Sequence, residues 1–150
     1  MAIRNIVKVD DPILRKISRP VVAFDERLHT LLDDMRETLL AVDGAGLAAV
    51  QVGVLRRAVL VYTDDEMIEL INPVIVETDG EQIDPEGCLS VPEVYGTVSR
   101  PYTVTVRAQD RFGKEFTITG QGLRARAFCH ELEHLDGGLF TDKVLEYLEV

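Results

Sequence analysis

Only two of the 150 residues are cysteine and three are histidine, so few side chains here can bind a soft metal. No run of apolar residues approaches the roughly 20 needed to cross a bilayer. The first ten residues, Met1 to Asp10, break their apolar positions with Arg4, Lys8 and Asp10, which excludes the continuous core of a signal peptide. A cytoplasmic chain is therefore expected, with no membrane partner, and Cys88 and Cys129 are expected to be thiols and not a disulfide. Repeats, low-complexity tracts and linkers are absent. One domain, residues 1–150, is expected, and a chain of that length buries enough surface to fold without staples. Positive charge is also scarce. A formal net charge of -10 disfavours anionic membranes and nucleic-acid phosphates, so no direct specific nucleic-acid binding is expected.

What is present is an ordinary globular mixture, 46% apolar and 28% charged. Asp11-Pro12 opens a short helical turn. From the Asp25 cap, Leu28, Leu31, Leu32, Met35, Leu39 and Val42 recur at helical period and predict an amphipathic helix ending before Gly44. His29 lies in it among polar neighbours as a surface residue. Gly44 to Gly53 is a run of small residues that predicts a tight turn feeding an apolar strand. It lacks the G-K-[ST] of a P-loop, and its strand follows the glycines, which leaves no support for a dinucleotide fold. Three strands are expected at Arg57–Tyr62, Met67–Asn72 and Val74–Thr78, and a hairpin at Pro101–Gln109 with Glu115–Thr119. Pro85 to Pro92 reads as a loop carrying Cys88. A last helix runs from about Gln121 to Gly137-Gly138. Strands clustered between two helices, without βαβ alternation, give the class α+β, with antiparallel sheets packed around a central helix.

That helix carries His130-Glu131-Leu132-Glu133-His134, the pattern H-E-x-x-H. Residues four apart in a helix project from one face about 6 Å apart along the axis, which is metal-ligand spacing. Glu131, rotated by one residue, reaches a water near the metal and suits a general base. Two imidazoles need a further ligand, and the Cys88 thiolate is a strong donor to a transition metal. Cys129 points away, about 100° around the helix from His130. Cys88, His130 and His134 then leave a fourth position open, as a catalytic site requires. Arg126, one turn before His130, is expected to pack its stem and send its head to solvent or a carboxylate.

Gly44 to Gln51, Glu86-Gly87-Cys88-Leu89-Ser90 and His130 to His134 resemble, in order and spacing, the three motifs of peptide deformylase. Ile71-Asn72-Pro73 and Leu139-Phe140-Thr141-Asp142 extend the likeness over nearly the whole chain. The resemblance implies removal of the formyl group from the formylmethionine of nascent polypeptides by a metal-bound water, with Glu131 as general base and acid. It implies one divalent ion, physiologically Fe2+, with Zn2+, Ni2+ or Co2+ as substitutes. The oxyanion would meet Gln51 and the backbone N–H of Leu89, while Gly46, Ala45 and Gly87 contact the substrate. It also implies ribosome association, which some relatives make through a helix beyond the position of Val150. The chain departs from the family at Ala45, Val50, Cys129 and Glu133, where aspartate is usual at the last. The alternatives are a deformylase-like paralogue acting on another N-acylated amine, a zinc metallopeptidase, and a structural metal site in a binding module.

Overall fold

The structure, a computed structural model, describes residues 2–149. Asp11 caps a 3-10 turn, Pro12–Arg15, its carboxylate accepting the Ile13 amide at 3.0 Å. Helix α1, Glu26–Val42, begins on Asp25, whose side chain accepts the Leu28 amide, and ends at Asp43 in the left-handed region. Then come β1, Gly46–Ala48; β2, Ala58–Thr63; β3, Glu66–Asp79; β4, Gln82–Cys88; β5, Val91–Arg100; β6, Thr103–Gln109; and β7, Glu115–Gln121. Helix α2, Leu123–Leu135, and the short β8, Glu146–Leu148, complete the order.

The strands form a five-stranded sheet, β1-β2-β3-β6-β7, and a three-stranded one, β4-β5-β8. All pairings within them are antiparallel, in agreement with an α+β class. Strand β2 explains how the layers stack. Val59 and Val61 join α2 in one core, whereas Ala58 and Leu60 join α1 in another. Successive side chains on a strand point to opposite faces, so the sheet lies between the two helices, and β2 reads as a continuous apolar run. A third core, of Val91, Val98, Leu139 and Phe140, packs the small sheet against the chain that follows α2.

Three expectations are corrected. The two strands expected on either side of Pro73 are one strand, β3. Proline cannot donate to a ladder, and the interruption is absorbed by a register shift between Ile71 and Val74 and by Asn72 at φ 51°. The Asn72 side chain secures that bend by bonding both the N–H and the C=O of Val21, at 2.8 and 2.9 Å. The stretch around Cys88 is no loop but the hairpin β4–β5, with Pro85 tolerated because β4 is an edge strand. The apolar strand expected after Gly46 stops at Ala48 and passes into a 3-10 turn, Ala49–Val52, which carries Gln51.

Past α2 the chain reverses at Gly137, φ 80°, where an added Cβ would lie 2.5 Å from the Arg15 carbonyl oxygen. Only glycine permits both that conformation and that approach. Gly137→Ala is expected to destabilise the protein by about 2–4 kcal/mol. A thermal scan should show Tm lower by roughly 5–15 °C.

Candidate active site

Helix α2 is buried on nearly every face, including Arg126, His130, Glu131 and His134. Those four buried side chains on one 13-residue helix carry a large desolvation cost unless each has a partner. The partners come mostly from the β4–β5 hairpin. Glu86, 7% exposed, accepts from Arg100 Nε and Nη2 at 2.8 and 2.9 Å, from Arg126 Nη1 at 2.6 Å and from His130 Nδ1 at 2.9 Å. Arg100 continues through Nη1 to Glu133 at 2.7 Å, and Lys143 closes on the same carboxylate. The Arg126 head is thus buried against a carboxylate and does not reach solvent. Glu133, the longer side chain noted above, is what Arg100 grips.

With Nδ1 held by Glu86, His130 turns Nε2 toward the cluster, the orienting role a carboxylate plays behind a ligating histidine. The His130 and His134 rings lie 5.1 Å apart, and His134 Nε2 is 3.5 Å from Cys88 Sγ. One donor atom from each of Cys88, His130 and His134 falls within 4.8 Å of the others, the one such group among the described residues. Tetrahedral bonds of about 2.0–2.3 Å would set such atoms roughly 3.3–3.8 Å apart, so the donors fit one ion with small adjustment. A thiolate and two imidazoles suit a transition metal and not magnesium or calcium. Cys129 is buried in the core beside α2 and outside the group, and His29 bonds the Arg111 carbonyl far from it.

The electrostatics separate the groups. Burial, then the neighbouring His130, push His134 down to about 3, leaving its ring neutral with a free lone pair. Burial also opposes charge on His130, but Glu131, Cys88 and Glu86 reverse that and hold its pKa well above the ordinary value. Burial pushes the Glu131 carboxyl up to about 7, against the pull of His130. Oε1 of Glu131 has no hydrogen-bond partner, and an added Cβ on Gly46 would lie 2.4 Å from Oε2. Gln51, 1% exposed, is fixed at both ends: Oε1 accepts the Ala48 amide at 2.9 Å, and Nε2 lies 3.1 Å from Ser90 Oγ and 3.7 Å from Cys88 Sγ.

A cavity of about 570 Å³ opens onto these groups, lined by Ala45, Gly46, Gln51, Gly87, Cys88, Leu89, His130 and Glu131 among others. His134 lies behind it, fully buried. Another cavity, about 690 Å³ between α1 and the Val54–Arg56 turn, holds none of the candidate site residues named from sequence. Sequence reasoning missed Glu86 and Arg100 as the support of the site. The signal available was a glutamate two residues before the candidate ligand Cys88, on the same strand.

Convergent sulfur and nitrogen donors, a carboxylate beside them and a cavity reaching both define a mononuclear metal-dependent hydrolase. The chain belongs to the polypeptide deformylase family, whose model matches residues 3–148. It is 55% identical to the peptide deformylase of Caldicellulosiruptor bescii over 99% of this chain and 89% of that one. It is 50% identical to peptide deformylase 2 of Clostridium acetobutylicum over 99% and 100% of the two chains. The crystal structure of a peptide deformylase from Legionella pneumophila superposes with a TM-score of 0.92 at 49% identity, over 95% of this chain and 86% of that one. That from Thermotoga maritima gives 0.93 at 36% identity, over 96% and 99%.

Burial raises the Glu86 carboxyl, but hydrogen bonds from Arg100 and His130 outweigh it and hold the pKa at about 2, below the ordinary 4.5. A pKa lower in the folded than in the unfolded chain stabilises fully above about pH 4.5, and that stability is lost as pH falls through about 2. In metal-free protein, Glu86→Gln should cost about 3 kcal/mol at neutral pH. Urea unfolding from pH 7 to pH 3 should show the gap from wild type narrowing as the acid end is approached.

Proposed function

We propose that this chain is a single catalytic domain that removes the N-terminal formyl group from formylmethionine of nascent polypeptides. The observation that carries the proposal is Glu131 held unpaired between Gly46 and the Cys88, His130 and His134 donors at the wall of the cavity. Those three residues would hold the metal, with Fe2+ as the physiological ion and Zn2+, Ni2+ or Co2+ as substitutes. When bound, the ion supplies Lewis acidity that makes water a nucleophile at neutral pH.

The rest is work for this chain's own side chains. Glu131 takes the proton of the attacking water at its carboxylate and delivers it to the departing amine nitrogen, so formate and a free amino terminus result. A carboxyl near 7 is poised for both transfers, and a cation at the donors draws it toward the ionised form. The charge that develops on the formyl oxygen is met by Gln51 Nε2 and the Leu89 N–H. Strand β1 is an edge of the large sheet, with β2 on one side only. An extended peptide adds there as a further strand on Gly46, with Ala45 and Gly87 touching it from the cavity wall.

The cell compartment is the cytoplasm and the partner is the formylated nascent chain, with association at the ribosome. No helix among the described residues is long and apolar enough to cross a membrane.

Turnover of formyl-Met-Ala-Ser by protein loaded anaerobically with Fe2+ is the test. Formate should be released, and Glu131→Ala at equal metal content should lose about 100-fold or more of kcat. Stoichiometric metal without formate would defeat the assignment and direct the search to other acyl-peptides. Gly46→Ala forces a methyl into the Glu131 carboxylate. It should lower kcat about as far while metal content stays at one equivalent, and metal analysis beside the kinetics checks it.

A further inference from the structure

Leu89 and Ser90 form the two-residue turn between β4 and β5, closed by the Cys88–Val91 pair. Turns of that length favour glycine or asparagine at positive φ. Neither residue is of that kind and neither has positive φ, so the turn is weakly specified by its own sequence. Its support comes from the other end of the chain. The Val9 N–H donates to the Ser90 carbonyl at 2.9 Å, and Lys8 Nζ reaches the Leu89 carbonyl at 3.4 Å. Two residues earlier, the Val7 N–H donates to the Gln51 carbonyl at 2.7 Å. Gln51 Nε2 lies on Ser90 Oγ, so the strap, Gln51 and Ser90 form a closed ring of hydrogen bonds.

Within the segment Val7 packs against the core, but the side chains of Lys8 and Val9 face solvent, Val9 being 49% exposed, so burial does not explain why those two residues lie here. It is anchored beyond, where the Asp11 N–H bonds the Lys8 carbonyl, Leu14 is fully buried and Arg15 pairs with Asp142.

We infer that Val7-Lys8-Val9 is a positioning strap that holds the two oxyanion donors, the Gln51 side chain and the Leu89 N–H, at a fixed separation. The inference rests on the donor roles proposed above. Such donors act only if they are already in place when charge develops, so a strap of this kind acts on turnover and not on substrate affinity. Removing the Val9 N–H frees the Leu89–Ser90 turn. Removing the Lys8 ammonium loosens it less, since that contact is long and exposed.

Kinetics of the metal-loaded protein on formyl-Met-Ala-Ser test this. Val9→Pro should lower kcat about 10- to 100-fold with KM within about twofold, at one equivalent of metal. Lys8→Met should lower kcat about 3- to 10-fold, and Lys8→Arg should restore it. Wild-type kcat in a folded Val9→Pro, or a loss that falls on KM, overturns the strap. If Val9→Pro does not fold, Lys8→Met decides: unchanged kcat overturns the strap, and a loss restored by Lys8→Arg supports it. Gln51→Ala is measured in parallel. Wild-type kcat there overturns the donor role and the strap with it, whereas a fall there beside unchanged strap variants overturns the strap alone.

Discussion

The structure depends on one buried carboxylate. Glu86 takes hydrogen bonds from two arginines and from the outer nitrogen of His130, and each of those donors is itself buried. A carboxylate in such a place is tolerable only because its partners are complete, since an unmatched charge in the interior costs several kcal/mol. The same bonds fix how β4 faces α2. Glu86 and Cys88 stand two residues apart on that strand, and the pairing that neutralises Glu86 sets the thiol against His134. Charge balance and metal geometry are therefore one constraint.

Burying so polar a helix shapes the layers around it. One side of α2 packs Ala125, Phe128, Leu132 and Leu135 into the core it shares with the large sheet. The His130 side meets the β4–β5 hairpin, which supplies polar partners where the large sheet supplies apolar ones. Full burial of a leucine or phenylalanine contributes about 1.5–3 kcal/mol, and the apolar side holds the helix firmly enough for the other to keep Glu131 unpaired. An unpaired buried carboxylate is a local cost, and its pKa near 7 is the visible sign of it. The groups that line the cavity come from elements far apart in sequence, namely β1, the 3-10 turn that follows it, the hairpin and α2. Gly46 shows how tightly they are drawn together, because no side chain fits between β1 and Glu131. The amino-terminal strap belongs to the same assembly, crossing from the Gln51 turn to the hairpin tip.

Much of this was legible in the chain. H-E-x-x-H at helical spacing places two imidazoles on one face whatever surrounds them, because the helix period alone decides it. The helical stripe of α1 and the hairpin β6–β7 were legible for the same reason, since local periodicity reports which face is buried. Cys88 could be nominated from donor chemistry, and Cys129 set aside from its angle around the helix. The hairpin carrying Cys88 was not legible. Its strands hold two prolines and several exposed polar residues, and they lack the alternation by which a half-buried strand is recognised. Neither was the continuity of β3 through Pro73, which depends on an asparagine bonding to Val21, 51 residues away.

What the sequence by itself determined is the set of candidate groups and the spacing of those on one element: His130, Glu131 and His134 on a helix, with Cys88 nominated as the thiol. Only the tertiary structure decided how the separate sets meet. Arg100 and Arg126 are ordinary surface residues by composition, and nothing local marks them as the pair that neutralises Glu86. The closeness of Gly46 to Glu131 and of Val9 to Ser90 likewise spans some 80 residues. Local rules act through covalent geometry over a few residues, whereas such contacts exist only after the two sheets and α2 have packed and water has been excluded from between them.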